Sequence, residues 1–244
     1  MPFEALSPNT TLLVPEWPAP PQVRAAMLLR PPTGENLPSS SPLQALRDSG
    51  VLPNSVLELK QIHGNAVVEA GPAFLAPPVA DAAFATQTHL ALLIYTADCL
   101  PVLFCDEKGT LIGAAHAGWR GLCAGVLEAL VTAMRKRQPE SRLMAWLGPA
   151  IGPEKFEVGA EVRAAFLAHA QEAAQAFIPL GPDEQGQLKY LCNLYTLARQ
   201  RLASVQVHNI YGAQWCTASE EKHFYSYRRD HGIIDHLRSL IWLV

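Results

Sequence analysis

Two periodicities divide this chain, and their order limits the folds open to it. Up to Gly121 the apolar residues alternate, as in Val56-Leu57-Glu58-Leu59-Lys60-Gln61-Ile62, or form short unbroken runs, as from Leu90 to Tyr95. Alternation marks a half-buried strand, and a short continuous run is consistent with a fully buried one. After Gly121 the spacing turns helical: Val126, Leu127, Leu130, Val131 and Met134 recur until Gln138-Pro139 stops them. Strands and helices thus come in blocks without steady alternation, which predicts α+β with mixed β-sheets rather than a doubly wound parallel sheet.

Further strands are expected over Val23–Arg30, Asp81–Thr86, Leu143–Leu147, around His208–Tyr211 and over Ser239–Val244. A hairpin is expected from Pro101–Cys105 to Thr110–Ala115 across Asp106-Glu107-Lys108-Gly109. Val56–Ile62 is read as a strand, His63-Gly64-Asn65 as its turn and Ala66–Val68 as the return strand. Helices are expected at Leu43–Asp48, Ala160–Ala176 and Leu194–Leu202, and a loop over Pro31–Pro42. The first twenty or so residues, rich in Pro and Ser, read as an extended arm anchored by Trp17. One domain over 1–244 accommodates all of this, since 244 residues, 49% of them hydrophobic, suffice for a sizeable core.

Charge and cysteine usage narrow the function classes. The formal net charge is -3 and no long basic run occurs; Arg135-Lys136-Arg137 reads as a helix end. No nucleic-acid partner is expected. The five cysteines are odd in number, irregularly spaced and without a CxxC pair, which fits a reducing compartment. The N-terminus lacks the basic-then-apolar pattern of a secretory signal. No stretch of about 18 uncharged apolar residues is present, so no membrane span is expected. The reading is a soluble, cytoplasmic protein. No Gly-rich phosphate loop of the GxGxxG or GxxxxGK type is found.

Three soft metal ligands lie beside turns at predicted strand ends: His63, Cys99 and His116. Two imidazoles and one thiolate suit zinc and leave a tetrahedral position open, the pattern of a catalytic site. The bland alternative is a core cysteine and two unrelated histidines, and spacing alone leaves both open. Cys105 and Cys123 fall on apolar faces and read as core, and His89, His169 and His208 as structural. A third possibility pairs Cys99 as nucleophile with His116 as base. His63 discriminates, because a Cys-His hydrolase has no evident need of it.

The strings KQIHG, TADCLPVLF, AAHAGWRGL, LGPAIGPEKFEVG and CTASEEKHFYSYRRD, in this order, resemble the YfiH-like family, also called the laccase-domain or polyphenol oxidase family. The resemblance runs from about Val56 to the C-terminus. It implies a layered sandwich of mixed sheets flanked by helices, similar to the catalytic-domain fold of cytotoxic necrotizing toxins. It also implies that His63, Cys99 and His116 hold a metal, zinc with copper as the alternative. The implied activity is purine nucleoside phosphorolysis of adenosine or inosine, with adenosine deamination and methylthioadenosine phosphorolysis as further activities. Cys-His editing of cell-wall precursors and copper-dependent polyphenol oxidation are the alternatives. The partners implied are a small nucleoside and phosphate, on a monomer or homodimer.

Phosphorolysis needs an anion site, for which Arg120, Arg228 and Arg229 offer planar forks. Deamination needs a carboxyl group to move protons, and Asp98 adjoins a ligand; its other role is that of a turn carboxylate. Tyr225 and Tyr227 are candidates for stacking on a base, against ordinary packing. The HxE and PCxxC signature of nucleobase deaminases is missing, as are the HxH pairs of a multicopper oxidase. Two departures from the family pattern stand out. The Thr-Gly-Arg expected after Arg229-Asp230 is replaced by a run containing Arg238, and Asn193 stands where the family tends to carry Asp.

Overall fold

The structure is a computed structural model that describes residues 3–7, 10–31, 41–48, 50–71, 76–232 and 235–244. Most of the loop expected over Pro31–Pro42 lies outside the described residues. The chain opens with β1 (Phe3–Ser7), β2 (Thr10–Leu13), β3 (Val23–Leu28), α1 (Ser41–Asp48), β4 (Ser55–Leu57), β5 (Val67–Glu69) and β6 (Ala82–Ala85). Next come β7 (Leu90–Thr96), β8 (Leu100–Asp106), β9 (Ile112–Ala117), α2 (Trp119–Cys123), α3 (Val126–Arg137) and β10 (Leu143–Leu147). The last part holds β11 (Glu157–Gly159), α4 (Ala160–Leu167), β12 (Phe177–Pro182), β13 (Leu188–Cys192), α5 (Leu194–Ser204), β14 (Asn209–Gly212) and β15 (Leu237–Leu243).

The first six-stranded sheet has the order β1-β2-β3-β15-β7-β4, and the second β14-β10-β8-β9-β6-β5. A three-stranded sheet is ordered β11-β13-β12. Parallel pairs (β4 with β7, β5 with β6, β10 with β14) sit among antiparallel ones, so the sheets are mixed, as predicted. Alternation along each strand decides which layer a side chain enters. Leu92 and Ile94 of β7 face the second sheet, where Leu103, Cys105, Ile112 and Ala114 meet them. Ala91 and Leu93 face the opposite way, onto Leu43 and Leu46 of α1. The far side of the second sheet packs Val102, Phe104 and Ala115 against Leu127, Leu130 and Met134 of α3 and Leu197 and Leu202 of α5. The layers are therefore helix, sheet, sheet, helices. β8 is buried at every position because both its faces are covered.

The segment expected as a hairpin about His63 is not one. β4 ends at Leu57, and the chain then leaves the first sheet, passes His63 and enters the second sheet as β5. Beyond β4 a side chain takes over the strand's work. The Gln61 amide donates to the Tyr95 carbonyl at 2.8 Å and accepts the Tyr95 N–H at 2.9 Å, supplying β7 with the donor and acceptor of a missing neighbour. The Ala-rich stretch 160–176 also departs from expectation. α4 stops at Leu167, Ala170 is extended, and a 3₁₀ turn follows that buries Ala173 and Ala176. Helix propensity is a weak prior that packing overrides. The N-terminal arm is extended in the form of strands: β1 pairs with β2, and β2 with β3. Trp17 packs on the inter-sheet core, and Cys105 and Cys123 are buried, as predicted.

Candidate metal centre and its pocket

The seam between the two sheets gathers the three candidate ligands. His63 lies on the crossing from β4 to β5, and Cys99 on the crossing from β7 to β8. His116 is on β9, paired with Pro101 of β8, which brings it beside the start of that strand. The ligand atoms of His63, Cys99 and His116 all lie within 4.8 Å of one another. Cys99 Sγ is 3.9 Å from His63 Nε2, and the two imidazole centroids are 4.7 Å apart at 76°. A tetrahedral zinc with Zn–N and Zn–S bonds of roughly 2.0–2.3 Å spaces its ligand atoms by roughly 3.3–3.8 Å. The donor set and its spacing therefore fit such an ion after small side-chain adjustments.

A carboxylate missed by the sequence reading holds the cluster. Asp81 is fully buried just before β6. Its Oδ1 accepts from His116 Nδ1 at 2.8 Å and from His63 N at 2.9 Å; its Oδ2 accepts from Gly64 N at 2.7 Å and Ile62 N at 3.2 Å. One side chain thus orients one ligand's ring and clamps the other's backbone, whose φ of 61° is left-handed. With Nδ1 donating to the carboxylate, His116 Nε2 is left as a lone pair for an ion, the arrangement common to metal-bound histidines. The available signal was a lone Asp within an apolar segment, since a buried charge is rare unless paired.

The electrostatics follow from these contacts. Burial pushes the Asp81 carboxyl up, but the bonds from His116 and the Gly64 and Ile62 N–H groups prevail and hold it below the usual carboxylate range. Burial opposes charge on Cys99 too, yet His116 and His63 bring its thiol down to about 7. His116 is lowered by burial and raised more strongly by Asp81 and Cys99, to about 9. The site thus raises the population of the thiolate, the form that binds metal or attacks carbon, at neutral pH.

Gly118 and Gly121 explain the spacing of the HAGWRG string. A Cβ on Gly118 would meet Cys99 Sγ at 2.8 Å and His63 Cδ2 at 3.1 Å, and one on Gly121 would meet the Gly64 carbonyl oxygen at 2.7 Å. Only bare backbone lets α2 dock against the ligand loop.

The cluster opens into a cavity of about 910 Å³. Its two walls come from different layers. On the helix side stand Trp119 and Arg120 of α2, Phe156 and Arg228. On the side of the first sheet stand Gln61, Tyr95, Asp235, His236 and Arg238. The Arg120 guanidinium lies 4.5 Å over the Trp119 ring. Arg228 donates to the Glu157 carbonyl at 3.1 Å and lies 5.7 Å over Phe156. Tyr227 is 63% exposed at the cavity, whereas Tyr225 is core.

Two predicted site residues turn out to hold structure. Arg229 grips Asp230 through two nitrogens and donates to the Thr217 and Phe224 carbonyls, so four of its five N–H donors are spent; it is not among the cavity-lining residues. Asp98 lines the cavity but accepts from Thr217 Oγ1 at 2.6 Å, Ser226 Oγ at 3.0 Å and Arg228 N at 2.7 Å. Its carboxylate anchors the C-terminal loop next to Cys99, the turn role weighed against proton transfer. His89, His169 and His208 are exposed and off the cavity. Arg238 reaches the cavity wall but is paired with Asp235. Asn193 caps α5 by accepting from Thr196 N, a task Asn and Asp perform equally well.

Comparison with known proteins agrees with this architecture. Residues 42–244 match the family described as multi-copper polyphenol oxidoreductase laccase. Purine nucleoside phosphorylase YfiH of Escherichia coli strain K12 is 43% identical over 250 residues, covering 96% of this chain and 99% of that protein. A purine nucleoside phosphorylase of Pseudomonas aeruginosa is 43% identical over 247 residues, covering 95% and 98%. The crystal structure of Neisseria meningitidis protein NMB0706 superposes with a TM-score of 0.83 at 40% identity, covering 95% of this chain and 98% of that one. That of Bacillus licheniformis YfiH gives 0.84 at 25% identity, covering 100% and 99%. With the seam, the cluster and these matches together, the chain belongs to the YfiH-like, laccase-domain family.

Proposed function

We propose that this protein is a metal-dependent purine nucleoside phosphorylase, with zinc held by His63, Cys99 and His116. The observation that carries the reading is the convergence of those three ligands, oriented by Asp81, in one cavity with Arg120 and Arg228. Relatives at 43% identity bear that name. A zinc ion in a three-ligand site supplies Lewis-acid polarisation at its open position. The remaining work falls to the chain. Arg120 and Arg228 hold phosphate through planar guanidinium groups, and Asp98 keeps Arg228 in place by binding its backbone N–H. Trp119 and Phe156 carry the two guanidinium groups on their ring faces, and Tyr227 gives the nucleoside an exposed aromatic face at the cavity. Methylthioadenosine fits the same chemistry, since its 5′ substituent is remote from the broken bond, and adenosine deamination is a further activity of the same cavity.

We take residues 1–244 as one catalytic domain, working in the cytoplasm on small molecules as a monomer or homodimer. The five free cysteines suit a reducing compartment. Among the described residues no helix is long and apolar enough to cross a membrane.

The test is product analysis. Metal-loaded protein is incubated with adenosine or inosine, with and without phosphate. Free base plus ribose 1-phosphate, formed only with phosphate, supports the reading. Inosine from adenosine without phosphate reveals deamination, and no turnover at all refutes both.

A second reading is favoured by one observation. Cys99 lies within 4.8 Å of the His116 imidazole, which draws its thiol down towards the thiolate, the arrangement of a Cys-His hydrolase and the one expected for a toxin-like catalytic domain or a cell-wall precursor amidase. Retention of full activity in His63→Ala would favour it. Copper-dependent polyphenol oxidation finds less support: among the described residues one group of three ligands is present, against the several coppers a laccase assembles.

A further inference from the structure

Phosphorolysis asks for a group that none of the residues above supplies. The purine leaves with the electron pair of the broken bond, and a proton donor at its ring nitrogen lowers that barrier. A direct displacement puts nucleophile and leaving group on opposite sides of the anomeric carbon. Phosphate at Arg120 and Arg228, among the residues lining the helix side, assigns the purine to the lining residues that the first sheet contributes.

Most acids on or behind that wall are already engaged. The Asp235 carboxylate accepts from Arg238 Nη2 at 3.0 Å and from His236 N at 2.7 Å. The Tyr95 hydroxyl donates to Glu58 at 3.2 Å, and burial pushes that phenol up to about 12. Asp98 is saturated by its three donors. His63 and His116 belong to the metal cluster. His236 differs. It lines the cavity at the entry to β15, its ring stands edge-on to Tyr95 at 6.2 Å and 82°, and its ring nitrogens have no hydrogen-bond partner among the described residues.

We propose that His236 donates a proton to the departing purine. The inference rests on the phosphorylase reading of the site. In the step, the C1′–N9 bond breaks and its electron pair passes to the purine, while a phosphate oxygen bonds to C1′. One ring nitrogen of His236 gives its proton to the purine as the other takes one from solvent. The new phosphate ester returns to solvent the proton that hydrogenphosphate brought, so charge and protons balance. The groups facing the ring agree with an imidazole that acts as a neutral donor. Although the residue is exposed, the cavity wall desolvates its ring and lowers its pKa; Asp235 opposes this, and Arg238 and His116 add to it. The Tyr95 ring stands edge-on beside the imidazole without taking either nitrogen.

The test compares two nucleosides in the zinc-loaded protein. Inosine needs its base protonated as it leaves. 7-Methylguanosine carries a cationic purine that departs neutral without a proton. In His236→Leu, kcat/KM for inosine is expected to fall by about 100-fold or more, the usual scale of a lost general acid, while 7-methylguanosine stays within about threefold. His236→Asn, which keeps an N–H donor, is expected to lose less with inosine than the Leu variant. Inosine cleavage within threefold of the parent in His236→Leu, equal losses for both nucleosides, or equal losses in both variants would overturn the assignment. If the parent protein cleaves neither nucleoside in phosphate, the phosphorylase reading itself fails, and this inference fails with it.

Discussion

Asp81→Asn is the most informative single substitution, because it keeps shape and removes charge at the residue that supports two of the three ligands. The carboxylate receives hydrogen bonds from the His116 ring and from the N–H groups of Ile62, His63 and Gly64. Asparagine can satisfy one side of this set with its carbonyl. Its NH₂ then faces N–H donors on the other side, and those contacts are lost. Hydrogen bonds to charged groups contribute about 1.5–3 kcal/mol each. Losing two of them should cost the metal-free protein about 3–5 kcal/mol, the scale of breaking a buried charge pair. Zinc affinity should drop about 10–100-fold, the range found when a carboxylate orienting a metal-bound histidine is removed. Urea unfolding of the metal-free protein reads the first quantity, and competition with a chelator the second. Zinc affinity within about twofold of the parent, together with an unchanged urea midpoint, would refute the claim that Asp81 organises the site.

Other perturbations probe neighbouring parts. Gly118→Ala places a methyl 2.8 Å from Cys99 Sγ; it should lower bound zinc per chain and cost about 1–3 kcal/mol as overpacking, read by elemental analysis and urea unfolding. Asp98→Asn keeps a side chain that tolerates its left-handed backbone but weakens the hold on Thr217, Ser226 and Arg228. It should raise KM for phosphate by about tenfold or more with metal content unchanged, on the scale of one charge-assisted hydrogen bond; an unchanged KM would show that the anchor does not serve Arg228. Gln61→Ala should destabilise the protein by about 1–3 kcal/mol, since the N–H and carbonyl of Tyr95 lose their side-chain partners on that edge of β7.

Local periodicity carried much of the fold. Leu143–Leu147, the helix beginning at Val126 and the hairpin about Asp106–Gly109 lie close to where their spacing puts them, because each buries a face its own pattern defines. What sequence could not reveal was non-local. The strand expected through Ile62 stops at Leu57 because the next residues cross between sheets, and a side chain of Gln61 stands in for backbone. No pattern within that segment encodes the partner at Tyr95. The three-stranded sheet of β11, β12 and β13 went unread, since Pro179, Gly181 and Pro182 give β12 the composition of a loop.

The site divides in the same way. His63, Cys99 and His116 were legible as residue types suited to one ion, and their approach in space follows from chain crossings that no local pattern shows. Arg229 and Arg228 look alike in sequence, yet one is spent on Asp230 and two carbonyls while the other reaches the cavity. Asp81 and His236 were passed over because neither lies next to a ligand in the chain. Their roles exist only once the sheets have stacked.

The central claim is that one ion sits between two imidazoles and a sulfur at the seam of the sheets. Zinc-edge X-ray absorption on the metal-loaded protein tests it most directly. One sulfur at about 2.3 Å and nitrogens at about 2.0–2.1 Å are expected, with the sulfur signal lost in Cys99→Ser. A shell without sulfur, or a spectrum unaltered by that substitution, would contradict the account.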